Sequence, residues 1–143
     1  MNEVKRTRSK LLIVGGIIEI ALSFICMAFG VFATSIFLTE TLPQDYQYLL
    51  QNAVGVVGLA AFGFGFAGAI CAFKRKYPPF AVLGTAFIMV WAILVARLAL
   101  IAPSGYDRLT GMMFSMFIFI FSIISLSFIA VSRKDFENDG VKP

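Results

Sequence analysis

The 143-residue sequence contains no histidine and only two cysteines. Without histidine, no His-ligated zinc or haem site and no His-based catalytic triad can be assembled, and two cysteines cannot make a disulfide framework. Charge is also scarce. Asp, Glu, Lys and Arg make up 14% of the residues, against about a quarter in an ordinary soluble domain. The net charge of +4 comes from 12 basic and 8 acidic residues, but the basic residues form no stripe or groove, so nucleic acid is not expected as a partner. The apolar segments lack period-two alternation, which argues against barrel strands.

What the sequence has instead is apolar bulk: 59% hydrophobic residues, including 16 Phe. These fall into four blocks, at about 11–38, 53–73, 80–102 and 109–131. Each is long enough to cross a hydrocarbon core of roughly 30 Å as a helix of about 20 residues. The reading is an all-α integral membrane protein: one membrane domain over 1–143, built as an antiparallel bundle of four transmembrane helices, with tails at 1–10 and 132–143. A cleaved signal peptide is not expected, because the first apolar run is about twice the usual length of a signal's core and three more spans follow.

Basic residues mark the ends of these blocks. Lys5, Arg6, Arg8 and Lys10 precede the first, Lys74, Arg75 and Lys76 separate the second from the third, and Arg133, Lys134 and Lys142 follow the fourth. That puts ten of the twelve on one side, which predicts a cell-membrane protein with both termini cytoplasmic. In "TLPQDYQYLLQN", Thr41 suits a helix cap and Pro43 a first turn, so the second helix is expected to begin near Pro43. In "KRKYPPF", paired prolines end one helix and start the next.

Each block carries a line of small or polar residues at alternating spacings of three and four. In the first it is Gly16, Glu19, Ser23, Cys26, Gly30 and Ala33. In the second it is Gly58, Ala61, Gly65, Gly68 and Ala72. The third has Ala81, Thr85, Ile88, Ala92, Ala96 and Ala99, and the fourth Gly111, Ser115, Ile118, Ser122, Ser125, Ile129 and Ser132. Lipid is as apolar as Leu, so helices in a bilayer associate through close approach at small residues and through hydroxyl hydrogen bonds. These lines are expected to face inward. The first and fourth carry the argument, being bulky elsewhere. "GFGFAG" (63–68) matches a dinucleotide-binding pattern, but that motif needs a preceding strand, and here it lies within an apolar helix.

Glu19 is the chemically unusual residue. It lies roughly 12 Å from the basic end of its helix at 1.5 Å per residue, a depth that reaches Gly65, the 85–88 turn and a level between Ser122 and Ser125. A charge there is costly, by about 3 kcal/mol on insertion scales. A protonated acid that donates to a hydroxyl or carbonyl is the less costly state, and a structural polar contact is the leading expectation. Two other readings stand: a proton or ion site formed by Glu19 with Ser122, Ser125 and Thr85, or a side chain at the lipid edge that snorkels toward the basic end. Arg97 is separated from Glu19 by roughly 13 Å along the bundle axis. It is expected to reach the outer headgroups or to pair with Asp107 or Asp45. Cys26 and Cys71 lie toward opposite ends and read as separate, packed thiols.

Two resemblances bear on function. Glu19 within "GGIIEIALS" resembles the small multidrug resistance transporters, whose first helix carries an essential membrane-embedded Glu. That implies alternate binding of proton and substrate at Glu19. Those proteins are shorter, less biased in charge, and carry their Trp and a glycine-valine-glycine motif in later helices; Trp91 lies in no such motif. The basic start, "IVGGIIEI", the Gly-rich second helix ending in "KRK", and "ISLSFIAVSRKDFE" together resemble four-helix membrane proteins grouped as a domain of unknown function, which implies the topology and no mechanism. The expected function is therefore non-enzymatic. The chain is read as acting in the lipid bilayer through helix packing, as a homo-oligomer or as an accessory subunit of a larger membrane complex. A small proton-coupled transporter or channel using Glu19 is the alternative, and no cofactor or metal is expected.

Overall fold

The computed structural model describes residues 2–39, 46–75, 77–101 and 105–132, with side chains for 10–32, 49–75, 77–101, 105 and 108–132. Four helices account for nearly all of this: α1 (Asn2–Thr39), α2 (Tyr46–Phe73), α3 (Pro78–Leu100) and α4 (Gly105–Val131). Each contains a stretch apolar and long enough to cross a membrane, at Lys10–Phe32, Leu49–Phe73, Pro78–Leu100 and Arg108–Val131.

The helix boundaries follow local chemistry. Helix α1 runs back through the basic segment to Asn2, beyond the span at 11–38, because nothing in 2–10 is a Gly or Pro and Lys, Arg and Glu favour helix. Its 38 residues are about 57 Å long. Helix α2 begins by Tyr46; the expected start near Pro43, with Thr41 as cap, lies outside the described residues. After Phe73 the chain reverses sharply. Lys74 N–H donates to Ile70 O at 2.9 Å and Arg75 N–H to Ala72 O at 3.2 Å. Arg75 (φ 52°) and Tyr77 (φ 56°) both take left-handed backbone, a costly state for side chains of this size. Pro78 and Pro79 then open α3, where a missing N–H does no harm. Helix α4 starts at Gly105, one turn before residue 109, so its first turn includes the polar residues 107 and 108.

The helices form a ring in chain order, α1 against α2, α2 against α3, α3 against α4, and α4 back against α1, with a smaller α1–α3 contact across the centre. The small-residue lines face inward. Of their described members only Ala96 and Gly111 are partly exposed; the rest are buried, including Gly16, Ser23, Gly30, Gly58, Ala61, Gly65, Gly68 and Ser115. Polarity is inverted relative to a soluble protein. Glu19, Ser23, Thr85, Ser122, Ser125 and Ser132 are fully inside, while Phe24, Phe32, Val56, Ile93, Met113 and Phe117 point outward. Soluble monomers rarely leave so much apolar surface uncovered.

The interior has three zones. At one end Leu12, Ala72, Ala81 and Ile129 pack together. At the other, Leu22, Cys26, Val54, Ala61, Ile88, Trp91, Ala92 and Ile118 form the larger apolar cluster. Between these two groups lie Glu19 in α1, Gly65 and Gly68 in α2, Gly84 and Thr85 in α3, and Ser122 and Ser125 in α4.

Candidate functional site: the buried carboxyl of Glu19

Glu19 is completely buried, and glycines make the space it occupies. A Cβ added at Gly68 of α2 would stand 2.7 Å from Glu19 Oε1 and 2.9 Å from Phe80 O. One added at Gly84 of α3 would collide with the same Oε1 and come within 2.6 Å of Phe64 O and 3.0 Å of Gly65 Cα. Helices α2 and α3 thus cross at glycines, and the carboxyl of α1 is lodged where the missing side chains would be. This is one turn further along α2 than the depth count indicated. Gly65 instead faces the Ser23 hydroxyl and Ile88. The shift follows from side-chain direction: in a helix Cα–Cβ bonds tilt toward the N-terminus, and the depth count compared backbones.

The carboxyl has one side-chain partner among the described residues. Thr85 Oγ1 lies 3.3 Å from Glu19 Oε1 and 3.0 Å from Ala81 O. Threonine has a single hydroxyl proton and two lone pairs. When that proton goes to the closer carbonyl, Thr85 can only accept at Glu19, and the acid must then bring its own proton. Glu19 Oε2 is buried with no hydrogen-bond partner among the described residues. Nearby lie the carbonyls of Phe64 and Phe80, which also accept and never donate. A neutral acid suits these surroundings; among the described residues an ionised one would have only the Thr85 hydroxyl, 3.3 Å away, as a donor.

The serines on the neighbouring helices are buried but directed elsewhere. Ser122 Oγ donates to Ile118 O of its own helix at 2.8 Å. Ser125 Oγ reaches across to Gly15 O of α1 at 3.0 Å. The structure therefore brings Thr85 to Glu19 and commits Ser122 and Ser125 to backbone carbonyls. Ser23 donates to the Glu19 carbonyl at 2.7 Å, back-bonding that satisfies a hydroxyl within its own helix. Ser115 ties α4 to α3 through Ala92 O at 2.6 Å.

Three contributors escaped the small-residue lines. Gly84 forms half of the acid's cradle. Gly15 presents its carbonyl to Ser125, and an added Cβ there would stand 3.3 Å from the Phe128 side chain, while Gly16 next to it faces the Phe73 ring of α2. Trp91 is fully buried, and its Nε1–H donates to Val54 O at 2.9 Å. Gly84 and Trp91 are seven residues apart, each one position before Thr85 and Ala92. That heptad spacing was the available signal, since a helix that touches two neighbours needs a second inward line beside the first.

Arg97 stays apart from this site. It is exposed, and lines a groove between α3 and α4; its expected partners Asp45 and Asp107 fall outside the described side chains. Both cysteines are free: Cys26 is buried, whereas Cys71 is only partly so. Among the described residues no three His, Cys, Asp or Glu side chains gather as metal ligands. Comparison with protein-family models, with curated proteins and with solved structures returns no match.

Proposed function

We propose that this chain is a multi-pass protein of the cell membrane, with helices alternating in direction and both termini cytoplasmic, that acts without catalysis by packing against other membrane helices. The neutral Glu19 serves as an internal polar contact joining α1 to α3. The observation that carries the association reading is on the outside of α2. Gly63 and Ala67 are exposed there, and nothing lies within 4 Å of a Cβ built at Gly63. A mid-helix glycine costs roughly 0.5–1 kcal/mol relative to Ala, and two small residues four apart let a second helix approach closely. The inward glycines of α2 have that justification within the chain; Gly63 has it only with a partner, either a further copy or a subunit of a larger complex.

Cross-linking in the native membrane, followed by size measurement in mild detergent, tests this. The wild-type chain is expected in an assembly larger than one copy, and Gly63→Leu with Ala67→Leu is expected to release a folded monomer. A wild-type chain that is monomeric in its membrane, or an assembly indifferent to both leucines, removes the reading.

One observation favours the second reading, a proton-coupled transporter or channel. It is the unpartnered Glu19 Oε2, because ionisable groups inside a membrane are costly and commonly tied to function. In liposomes, proton flux that is abolished by Glu19→Gln without loss of fold supports it. Absence of flux, or flux that survives the substitution, rejects it.

A further inference from the structure

The groove beside Arg97 combines two features that rarely meet on a lipid-facing surface. Its volume is about 330 Å³, and Ile93, Ala96 and Leu100 of α3 wall it with Met116 and Phe119 of α4. Arg97 stands among these residues and is exposed. An arginine on the outer face of an apolar helix must find water or an anion, because a bare charge in hydrocarbon is costly. Arg97 is three residues from the end of α3 at Leu100, about 4.5 Å of axial rise. Its flexible stem can carry the guanidinium to the headgroup level. From there the groove runs inward, since Ser115, whose hydroxyl bonds Ala92 O, fixes Met116 and Phe119 level with or below Ile93.

We propose that this groove seats one acyl chain of a phospholipid whose phosphate is held by Arg97. The shape and charge agree on that occupant. A planar guanidinium pairs with a phosphate through two parallel hydrogen bonds. The apolar channel leading away from it accepts a chain, and the small side chain of Ala96 next to Arg97 leaves it open. A soluble anion would use the cation and leave the groove empty, whereas a neutral lipid would use the groove and leave the cation unpaired.

Native mass spectrometry of the full chain in detergent micelles tests the proposal, with three probes: phosphatidylglycerol, diacylglycerol of the same chain length, and glycerol phosphate without chains. Phosphatidylglycerol is expected to be retained about fivefold more than diacylglycerol, the factor expected for one basic side chain near a phosphate. Glycerol phosphate is expected to compete weakly. Arg97→Gln should bring the two lipids level, Arg97→Lys should keep part of the difference, and Ala96→Phe should reduce retention of both. Helix content by circular dichroism checks that each variant is folded. If Arg97→Gln leaves the preference intact, the guanidinium is engaged elsewhere and the proposal fails. It fails equally if chainless glycerol phosphate competes as well as the lipid, or if a folded Ala96→Phe binds both lipids unchanged.

Discussion

The interior offers two solutions to the same problem, about six residues apart along α3. Around Trp91, four helices meet by filling space, with Gly58 of α2 leaving room for the indole, since a Cβ added there would stand 2.7 Å from its Nε1. The indole is fully buried, its ring lies 6.2 Å from Phe29 of α1 and 6.5 Å from Phe114 of α4, and its single N–H is satisfied by α2. Around Glu19 no large side chain fills the crossing: Gly68 and Gly84 leave room for a carboxyl alone, of which one oxygen has a weak partner and the other none among the described residues. Within a bilayer, hydrophobicity does not distinguish inside from outside, so shape and hydrogen bonding must. The Trp91 layer is complete on both counts. The Glu19 layer is complete in shape alone.

Breaking the filled layer should have the largest effect. Trp91→Ala is expected to destabilise the bundle by about 3–5 kcal/mol, through a cavity bordered by all four helices. Trp91→Phe, which keeps most of the volume and loses the N–H, should cost only about 1 kcal/mol. Unfolding in mixed micelles would measure both, and equal losses would mean that the hydrogen bond, and not the filling, holds this layer.

Next comes the glycine crossing. Gly84→Ala places a methyl group against the carboxyl and the Phe64 carbonyl, so α2 and α3 must separate, at about 1–3 kcal/mol. Gly63→Ala, where the added atom meets nothing within the chain, should leave a single copy of the bundle unharmed. If the two substitutions behave alike in the same assay, the close crossing is not what stabilises this layer.

Smaller still is the difference between the two serines. Ser125→Ala removes a bond between α4 and α1 and should cost about 0.6 kcal/mol, a typical value for an interhelical hydrogen bond in a membrane. Ser122→Ala removes a bond within α4 and should cost less, because that bond joins no second helix. The reverse order in unfolding free energy would overturn this assignment of roles.

The smallest effect is expected from Glu19→Gln. A neutral acid and an amide have nearly the same shape, so stability should hardly change. The infrared carbonyl band of a protonated carboxyl should be present in the wild type and absent from the variant. A variant clearly more stable than the wild type would instead show that an unpaired buried charge had been removed, and the neutral-acid reading would fall.

The inward lines were legible because helical spacing converts sequence into faces directly; Gly16, Ser23, Gly58, Gly68 and Ser125 lie where their spacing put them. The acid's partner Thr85 was legible from depth. Gly84 was not, because a single line of small residues marks one face and α3 has two neighbours to meet. Nor was the commitment of Ser122 and Ser125 to carbonyls, since a hydroxyl's choice of acceptor depends on which backbone comes within reach.

By itself the sequence determined four apolar helices, their approximate limits and the face each turns inward, because these depend on composition and on a period of 3.6 residues that no neighbour can alter. Only the tertiary structure decided which small residues oppose which, that Glu19 rests between Gly68 and Gly84, and that one of its oxygens has no partner among the described residues. Those facts depend on the relative shift and rotation of packed helices, set by contacts accurate to a fraction of a turn. A spacing pattern repeats every turn and cannot choose among them.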